Sequence, residues 1–405
     1  MIKNKQFFTL FFSQSISNIG EQIYILALPW FVYELTHSTL TMGTVAAMIS
    51  LPQILFGFFL GSIIDNGSKK KLLFISTLIQ VLLCGIIPIL YYFKVLEIYH
   101  IYVISFLYST SSLLFLSTYR STIPNIVRES ELLISNSWIQ SSLTIIKIIG
   151  PIIGGFLLAY YNATFAMLVN MFSFFFLLIF IPTLEINQEP IKKSNKQWSI
   201  IKDSLDGIKF IFHDKNIFQI NIISLFLNFS IYFSTSMILY FLLDERSLNS
   251  TEVGYLYALG GGIAFLITLM AKKINKNFNL FQSIFISCAF TGIAFIFFPI
   301  STHWIIISIL FGFINGGLTL GSIFINTYLQ KNTPSYMLGR VFTTSQMLSR
   351  VTAPVAVFLS GWLIENKIIS ISSVFTISGI GIILVLLTNY LFFEKVITYK
   401  KRGIS

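Results

Sequence analysis

Twelve apolar runs follow one another along the chain, at 7–34, 40–64, 72–93, 99–119, 133–160, 163–184, 216–243, 253–273, 279–299, 303–327, 339–364 and 371–393. Each is about 20 residues or longer, the length a helix needs to cross the hydrocarbon core of a bilayer. Backbone groups in lipid must be paired within the segment, so these runs predict helices; a barrel would need short alternating segments, which are not seen. The expectation is an all-α membrane protein with twelve transmembrane helices in two pseudo-symmetric six-helix bundles. The first run follows Lys3 and Lys5, is too long for a signal peptide and has no small-residue cleavage site after it, so it reads as the first span.

The polar connectors fix an orientation. With the N-terminus inside, the inner connectors hold 22 of the 27 Lys and Arg residues and the outer ones hold 3, namely Lys94, Arg246 and Lys367. Lys147 and Arg350 lie within spans. Such a bias places both termini in the cytoplasm and the chain in a bacterial-type inner membrane as a multi-pass protein. The longest polar stretch, 185–215, separates an N-terminal bundle (1–184) from a C-terminal one (216–405). Within it Trp198, Ile201, Leu205, Ile208 and Phe212 fall at helical spacing, with Lys202, Asp203, Asp206 and Lys209 elsewhere. That pattern predicts an amphipathic helix on the inner membrane face, or a plain tether.

Composition agrees. Of 405 residues 55% are hydrophobic and 11% charged, and the mean hydropathy is +0.79. A soluble protein carries about 25% charged residues; here lipid must replace water over much of the surface. The net charge of +11 comes from short basic clusters between apolar runs, so it argues for positive-inside topology and against nucleic acid. Cys84 and Cys288 sit inside apolar runs and offer neither a disulfide framework nor metal spacing. There is no phosphate-binding glycine loop for ATP, and His37, His100, His213 and His303 are scattered over loops and span ends, so neither an ATP-driven pump nor an enzyme is supported. No cofactor is expected; the expected partners are a small-molecule substrate, protons and the bilayer, with the chain a monomer.

The halves form a weak repeat. An offset of 203 places Pro151 on Pro354, Lys147 on Arg350 and Ser142 on Ser345, and an offset of 204 places Cys84 on Cys288. Two related six-helix halves are a transporter signature. The second run ends Gly57-Phe58-Phe59-Leu60-Gly61-Ser62-Ile63-Ile64-Asp65-Asn66-Gly67-Ser68-Lys69-Lys70-Lys71. Gly57 and Gly61 predict a small-residue face for close helix packing, and the lysines predict an anchor to anionic headgroups. The fifth run holds Gly150-Pro151-Ile152-Ile153-Gly154-Gly155, where proline frees a carbonyl and the glycines admit a neighbouring helix.

On these residues the chain resembles the major facilitator superfamily. Gly61, Asp65, Lys69 and Lys70 match its loop motif between helices two and three, with Asn66 where a basic residue is usual; the resemblance implies a gating role for Asp65. Gly150, Pro151, Gly154 and Gly155 match the core of its antiporter motif, which implies export. The upstream glycine of that motif is replaced by the Ile146-Lys147 region, and the central arginine of helix four is missing. Ser17-Asn18-Ile19-Gly20-Glu21, Leu28-Pro29-Trp30-Phe31-Val32-Tyr33-Glu34-Leu35-Thr36, Ile123-Pro124-Asn125-Ile126-Val127 and Leu338-Gly339-Arg340-Val341 are similar to the macrolide and siderophore exporter branch.

Three charges fall near mid-span: Glu21, Lys147 and Arg350. Each costs about 2.5–3.5 kcal/mol on insertion scales, so each should face a cavity or a partner. Glu21 is the candidate proton-coupling group, with Lys147 and Arg350 as holders of an anionic substrate group; the competing reading is a structural Glu21–Lys147 ion pair. Asn18, Gln22, Tyr24, Asn228, Tyr232, Asn315 and Gln346 are candidate polar cavity residues for a mostly apolar ligand, or else interhelical hydrogen bonds. Gly312, Gly316, Gly317 and Gly321 predict close packing or a flexing gate. The function expected is secondary transport by alternating access, with proton-coupled efflux of a small amphipathic drug, macrolide or siderophore. Uptake or lipid transport by the same fold, a non-transporting sensor and an intramembrane enzyme remain the alternatives.

Overall fold

A computed structural model describes residues 4–128, 131–186, 208–333 and 338–402; among them the side chains at 58, 59, 61, 62, 65, 66, 133, 272, 330, 338–340, 342, 343 and 390–402 are not described. Among the described residues twelve long helical stretches follow one another. They are α1 (Lys5–Thr36), α2 (Thr39–Asn66), α3 (Lys69–Tyr92), α4 (Ile98–Ile126), α5 (Leu132–Tyr160) and α6 (Ala163–Phe180). Then come α7 (Lys215–Thr235, continued by Ile238–Tyr240 and a π-helical turn at Phe241–Glu245), α8 (Ser250–Leu269 and Ala271–Asn277), α9 (Leu280–Phe297), α10 (Trp304–Asn332), α11 (Leu338–Arg350 and Ala353–Glu365) and α12 (Ile371–Arg402). No strand occurs among the described residues.

Short polar residues start the helices. Asn4, Ser38, Ser68, Asn162 and Asp214 each accept first-turn amide hydrogens, and Asn279 and Gln282 form a reciprocal capping box. Proline acts unequally at repeat-related positions. α5 runs on through Pro151, whereas α11 breaks at 351–352, just before Pro354. A proline ring opposes the carbonyl four residues earlier and donates no hydrogen bond to it; that carbonyl belongs to Lys147 in α5 and to Arg350 in α11.

Eleven helices among the described residues are long and apolar enough to cross a membrane. α1 falls below that measure because Gln14, Ser15, Ser17, Asn18, Glu21 and Gln22 crowd its middle. The crowding has a structural reason: Gln14, Ser17 and Tyr24 are buried, while Phe12, Ile16 and Ile25 are exposed. Polar groups face inward and oily ones outward. The same inversion runs through Leu82, Ile145, Phe172, Leu266 and Val355, all more than half exposed, as a lipid-facing surface requires.

Contacts divide the chain into one unit of Met1–Ile200 with Leu242–Ala258, and another of Ile201–Phe241 with Leu259–Ser405. In the first, α1 packs on α5 and α6, α3 on α4 and α6, and α2 on α4. In the second, α7 packs on α11 and α12, and α9 on α10 and α12. α8 meets α10 where Gly260 and Gly312 pass, a Cβ on Gly312 standing 3.0 Å from the Gly260 carbonyl oxygen. The second six helices thus repeat the pairings of the first six.

The expected amphipathic stretch at 198–212 lies largely outside the described residues. Of its tail, 208–213 is helical. There Ile211 packs with Ile217, Leu329 and Val341, while Phe212 is 63% exposed, so the buried register is one residue off the expected stripe.

Candidate functional site

The first unit holds a polar core among α1, α3, α4 and α6. Gly20 lets α1 approach α6: a Cβ there would stand 2.7 Å from Asn170 Oδ1 and 2.8 Å from Ser173 Cβ. One residue on, Glu21 accepts a hydrogen bond from Ser112 Oγ at 3.3 Å. Tyr24 stacks obliquely on Tyr108, with ring centroids 4.8 Å apart. Asn170 Nδ2 donates to Cys84 Sγ at 3.3 Å, and Cys84 is a buried free thiol. Several polar atoms here lack a hydrogen-bond partner: Ser17 Oγ, Tyr24 Oη, Gln80 Oε1 and Ser105 Oγ. Each orphan costs about 1–3 kcal/mol. Ser17 and Tyr24 stand on α1 to either side of Glu21 in sequence, Gln80 on α3 and Ser105 on α4.

Lys147 makes no ion pair with Glu21 among the described residues, where Arg246 pairs with Glu245. Lys147 is exposed, yet it does not point at lipid. At 100° per residue, the exposed stripe of Ile145, Ile149, Ile152 and Phe156 falls on the opposite side of α5. Lys147 lies instead between the side that meets α1, where Gly150 and Gly154 pack, and the side that meets α8. On that α8 side Gly155 and Gly254 cross, a Cβ on Gly155 standing 2.6 Å from Gly254 Cα. Gly150 makes room for Gln22, and Gly154 sits against Leu26 and Ile23. The helix-five glycines therefore do serve close approach.

The loop motif behaves differently. Lys69 Nζ donates to the Ser121 carbonyl at 2.7 Å and to Asn125 Oδ1, stapling the start of α3 to the end of α4. Lys70 Nζ donates to the Pro182 carbonyl at 2.7 Å. Gly61 and Asp65 lie in α2, but their side chains fall outside the description. Gly57, expected in a close-packed face, has no atom of the described residues within 4 Å of where a Cβ would stand. Lys69→Met should destabilise the protein by about 1–3 kcal/mol, and the exposed Lys70→Met by less than about 1 kcal/mol. Thermal unfolding of the two purified variants side by side checks the difference.

The second unit holds a cavity of about 250 Å³ between α7, α9, α10 and α11. Arg350 lines it together with the amides of Asn228, Asn326 and Gln346. Ser224, Thr291, Ser322 and Ser349 add hydroxyls, and Leu227, Ile231, Leu318 and Ile325 add apolar wall. No aspartate or glutamate is among the described lining residues. Gly317 and Gly321 of α10 and Cys288 of α9 border the same space, while Gly312 and Gly316 pack on Ile263 and Ile267 of α8.

The remaining polar candidates are dispersed. Asn18 accepts from Gln14 Nε2 at 2.8 Å. Tyr232 packs on the apolar cluster of Phe233, Ala356 and Val374. Asn315 donates to the Phe311 carbonyl on its own helix at 2.9 Å. Ser112, Gln80, Asn170 and Asn326 were not singled out by sequence reasoning. Hydroxyls and amides scattered through apolar runs carry no distinguishing signal until neighbouring helices are aligned.

Repeated six-helix packing, an oily exterior and polar interiors define a polytopic membrane transporter. The chain belongs to the Major Facilitator Superfamily, whose family model matches residues 10–356; it is a transporter rather than an enzyme. It is 25% identical to a staphyloferrin A transporter of Staphylococcus aureus, over 94% of each chain. Macrolide efflux protein A of Streptococcus pyogenes is 20% identical, over 93% of each. The multidrug efflux pump Tap of Mycolicibacterium fortuitum is 20% identical, over 88% of each. The fold is similar to that of a bacterial homologue of the iron transporter ferroportin in an inward-facing state (TM-score 0.77, 14% identity, 96% of this chain and 98% of that one). It is also similar to the nucleoside transporter NupG (TM-score 0.74, 14% identity, 96% and 99%).

Proposed function

We propose that the chain is a secondary active exporter of a small amphipathic compound in a bacterial inner membrane, driven by proton exchange through Glu21. The observation that carries this reading is the placement of Glu21. The Glu21 carboxylate sits inside the first unit, held by the Ser112 hydroxyl, with no cation paired to it among the described residues. A permanent charge there is costly, so the site favours a carboxyl that takes up a proton in one state of the cycle and releases it in another. Two efflux proteins among the relatives and the Gly-Pro core of helix five support export. Lys147, on the side of α5 away from its exposed apolar stripe, is the candidate substrate contact in this reading.

The test is flux in proteoliposomes. Purified full-length protein is reconstituted, a pH gradient is imposed, and transport of labelled erythromycin, ethidium and salicylate is followed. Expected is gradient-dependent accumulation of at least one probe, abolished by a protonophore. Accumulation indifferent to the pH gradient would remove protons from the mechanism.

A further inference from the structure

At the ends remote from the Lys69–Lys71 loop, α1, α3 and α6 frame a groove of about 850 Å³ inside the first unit. Lys94, Asn162 and Thr164 line it at the helix ends. Pro88 and Ile89 of α3 and Leu168 of α6 line it a turn deeper, and Leu35 of α1 adds to the apolar wall. Spacing explains that wall: Pro88 and Tyr92, like Thr164 and Leu168, are four residues apart and share a helix face. Lys94 is exposed and makes no ion pair among the described residues. None of the described lining residues is acidic. Glu97, the nearest acid along the chain, forms a reciprocal capping box with His100 at the start of α4. Asn162 Oδ1 accepts from Thr164 Oγ1 and from the Phe165 amide, both at 2.7 Å, which leaves its Nδ2 as a donor. The same end of the unit carries Tyr91, Tyr92, Tyr99, Tyr160 and Tyr161, which are 48–82% exposed. Tyrosines exposed in this way on a membrane protein mark the level of the lipid headgroups. Lys94 therefore stands at headgroup level, with the apolar groove running from it toward acyl-chain depth.

We propose that this groove holds one anionic phospholipid, its phosphate on Lys94 with Asn162 as a second donor, and an acyl chain along Pro88, Ile89 and Leu168. The leaflet is the one opposite the Lys69–Lys71 loop, the outer leaflet in the orientation that the basic connectors predict. The site is separate from Glu21 and from proton exchange. Its volume falls within the range of about 300–1,000 Å³ typical of ligand pockets. A lysine ammonium is a compact point charge and a good partner for phosphate. Phosphatidylglycerol brings a phosphate whose charge nothing else on the lipid answers, whereas phosphatidylcholine carries its own cation. The apolar wall supplies affinity for either lipid, and Lys94 supplies the preference for the anionic one. A free phosphate compound would leave the wall uncovered, so the acyl chain is part of the ligand.

The experiment uses purified, delipidated full-length protein in a non-ionic detergent. Dioleoyl phosphatidylglycerol, dioleoyl phosphatidylcholine and glycerol 3-phosphate are added separately. Phosphatidylglycerol is expected to raise the apparent Tm by about 3 °C more than phosphatidylcholine, and glycerol 3-phosphate to leave it unchanged. Lys94→Asn should cut the difference between the two lipids to less than about 1 °C. Lys94 has φ 58°, a left-handed conformation that asparagine tolerates well, so the variant removes the charge and keeps the turn. Lys367→Asn is the matched control: it changes a lysine of φ 56° on another connector, outside this groove, and should keep the full difference. Native mass spectrometry should find one retained phosphatidylglycerol on the wild type and none on Lys94→Asn. Monodisperse elution verifies folding, and Lys94→Gln replaces Lys94→Asn if that variant aggregates. Equal shifts from the two lipids, or a difference that survives the loss of Lys94, overturns the proposal. So does an equal loss in Lys367→Asn, which would mean a diffuse basic surface, or a shift from glycerol 3-phosphate as large as that from the lipid, which would mean a plain anion site.

Discussion

Glu21→Gln should abolish accumulation driven by a pH gradient, by at least about 100-fold, while the protein remains folded and inserted. The substitution is nearly isosteric. The new carboxamide oxygen still accepts from Ser112 Oγ, the hydrogen bond seen at 3.3 Å, and a neutral amide is cheaper to bury than a carboxylate. Stability therefore holds or rises. What disappears is the proton-binding step, because an amide does not titrate in the physiological range. Exchange of labelled for unlabelled substrate needs no net proton movement, so it should persist in the variant. The pair of assays separates a coupling residue from a structural one. If Glu21→Gln accumulates substrate against a gradient as the wild type does, protons travel by another route. If exchange is lost as well, Glu21 belongs to substrate binding instead.

Gly155→Leu should be the most damaging substitution in helix five. α5 and α8 approach until a Cβ on Gly155 would lie 2.6 Å from Gly254 Cα and 2.9 Å from the Ser250 carbonyl oxygen. These neighbours are backbone atoms, which cannot turn aside as a side chain can. A leucine must push the helices apart, at a cost of about 1–3 kcal/mol or more, and should cut flux at least about tenfold. Gly57→Leu is the internal control. It sits in the loop-motif helix with no atom of the described residues within 4 Å and should change stability by less than about 0.5 kcal/mol. Thermal unfolding and flux on the two variants test the contrast; equal damage at both positions would mean that glycine here serves backbone flexibility rather than close approach.

The same two positions show how far sequence reading reached. Both glycines stand in recognisable motifs and both were expected to mark helix contacts, yet among the described residues only one touches a neighbour. Small-residue spacing signals that a contact is possible; which helix lies opposite is a property of the packed bundle. The mid-span charges teach the same lesson. Glu21, Lys147 and Arg350 stand out because a charge in an apolar run is rare and costly. Their partners are unremarkable: Ser112 for Glu21, and for Arg350 a cavity shared with Asn326 and Gln346. Tyr232 and Asn315 looked like cavity residues equally well, but they face an apolar cluster and their own helix backbone.

The tip joining α7 to α8 carries this furthest. Leu242–Ala258 groups with the first unit, and Tyr33 of α1 hydrogen-bonds Asp244 there. A π-helical turn at Phe241–Glu245 marks the passage from one unit to the other, and π turns often occur at functional places in helices. In the apolar run 216–243 nothing announces it, because one extra residue in a helical turn leaves hydropathy unchanged.

Length, oiliness and the spacing of apolar runs by themselves determined that this chain is an all-helical membrane protein, and its short motifs pointed to the superfamily it belongs to. Those properties follow from the solvent: lipid tolerates only internally bonded backbone and apolar exteriors, and both requirements are written residue by residue. The tertiary structure alone decided that Glu21 stands apart from Lys147, that Lys147 lies away from the exposed apolar stripe of its helix, and that Arg350 shares a cavity with Asn326 and Gln346. Such facts depend on the rotation and sliding of each helix against its neighbours, set by many weak contacts at once, and no single stretch of sequence records them.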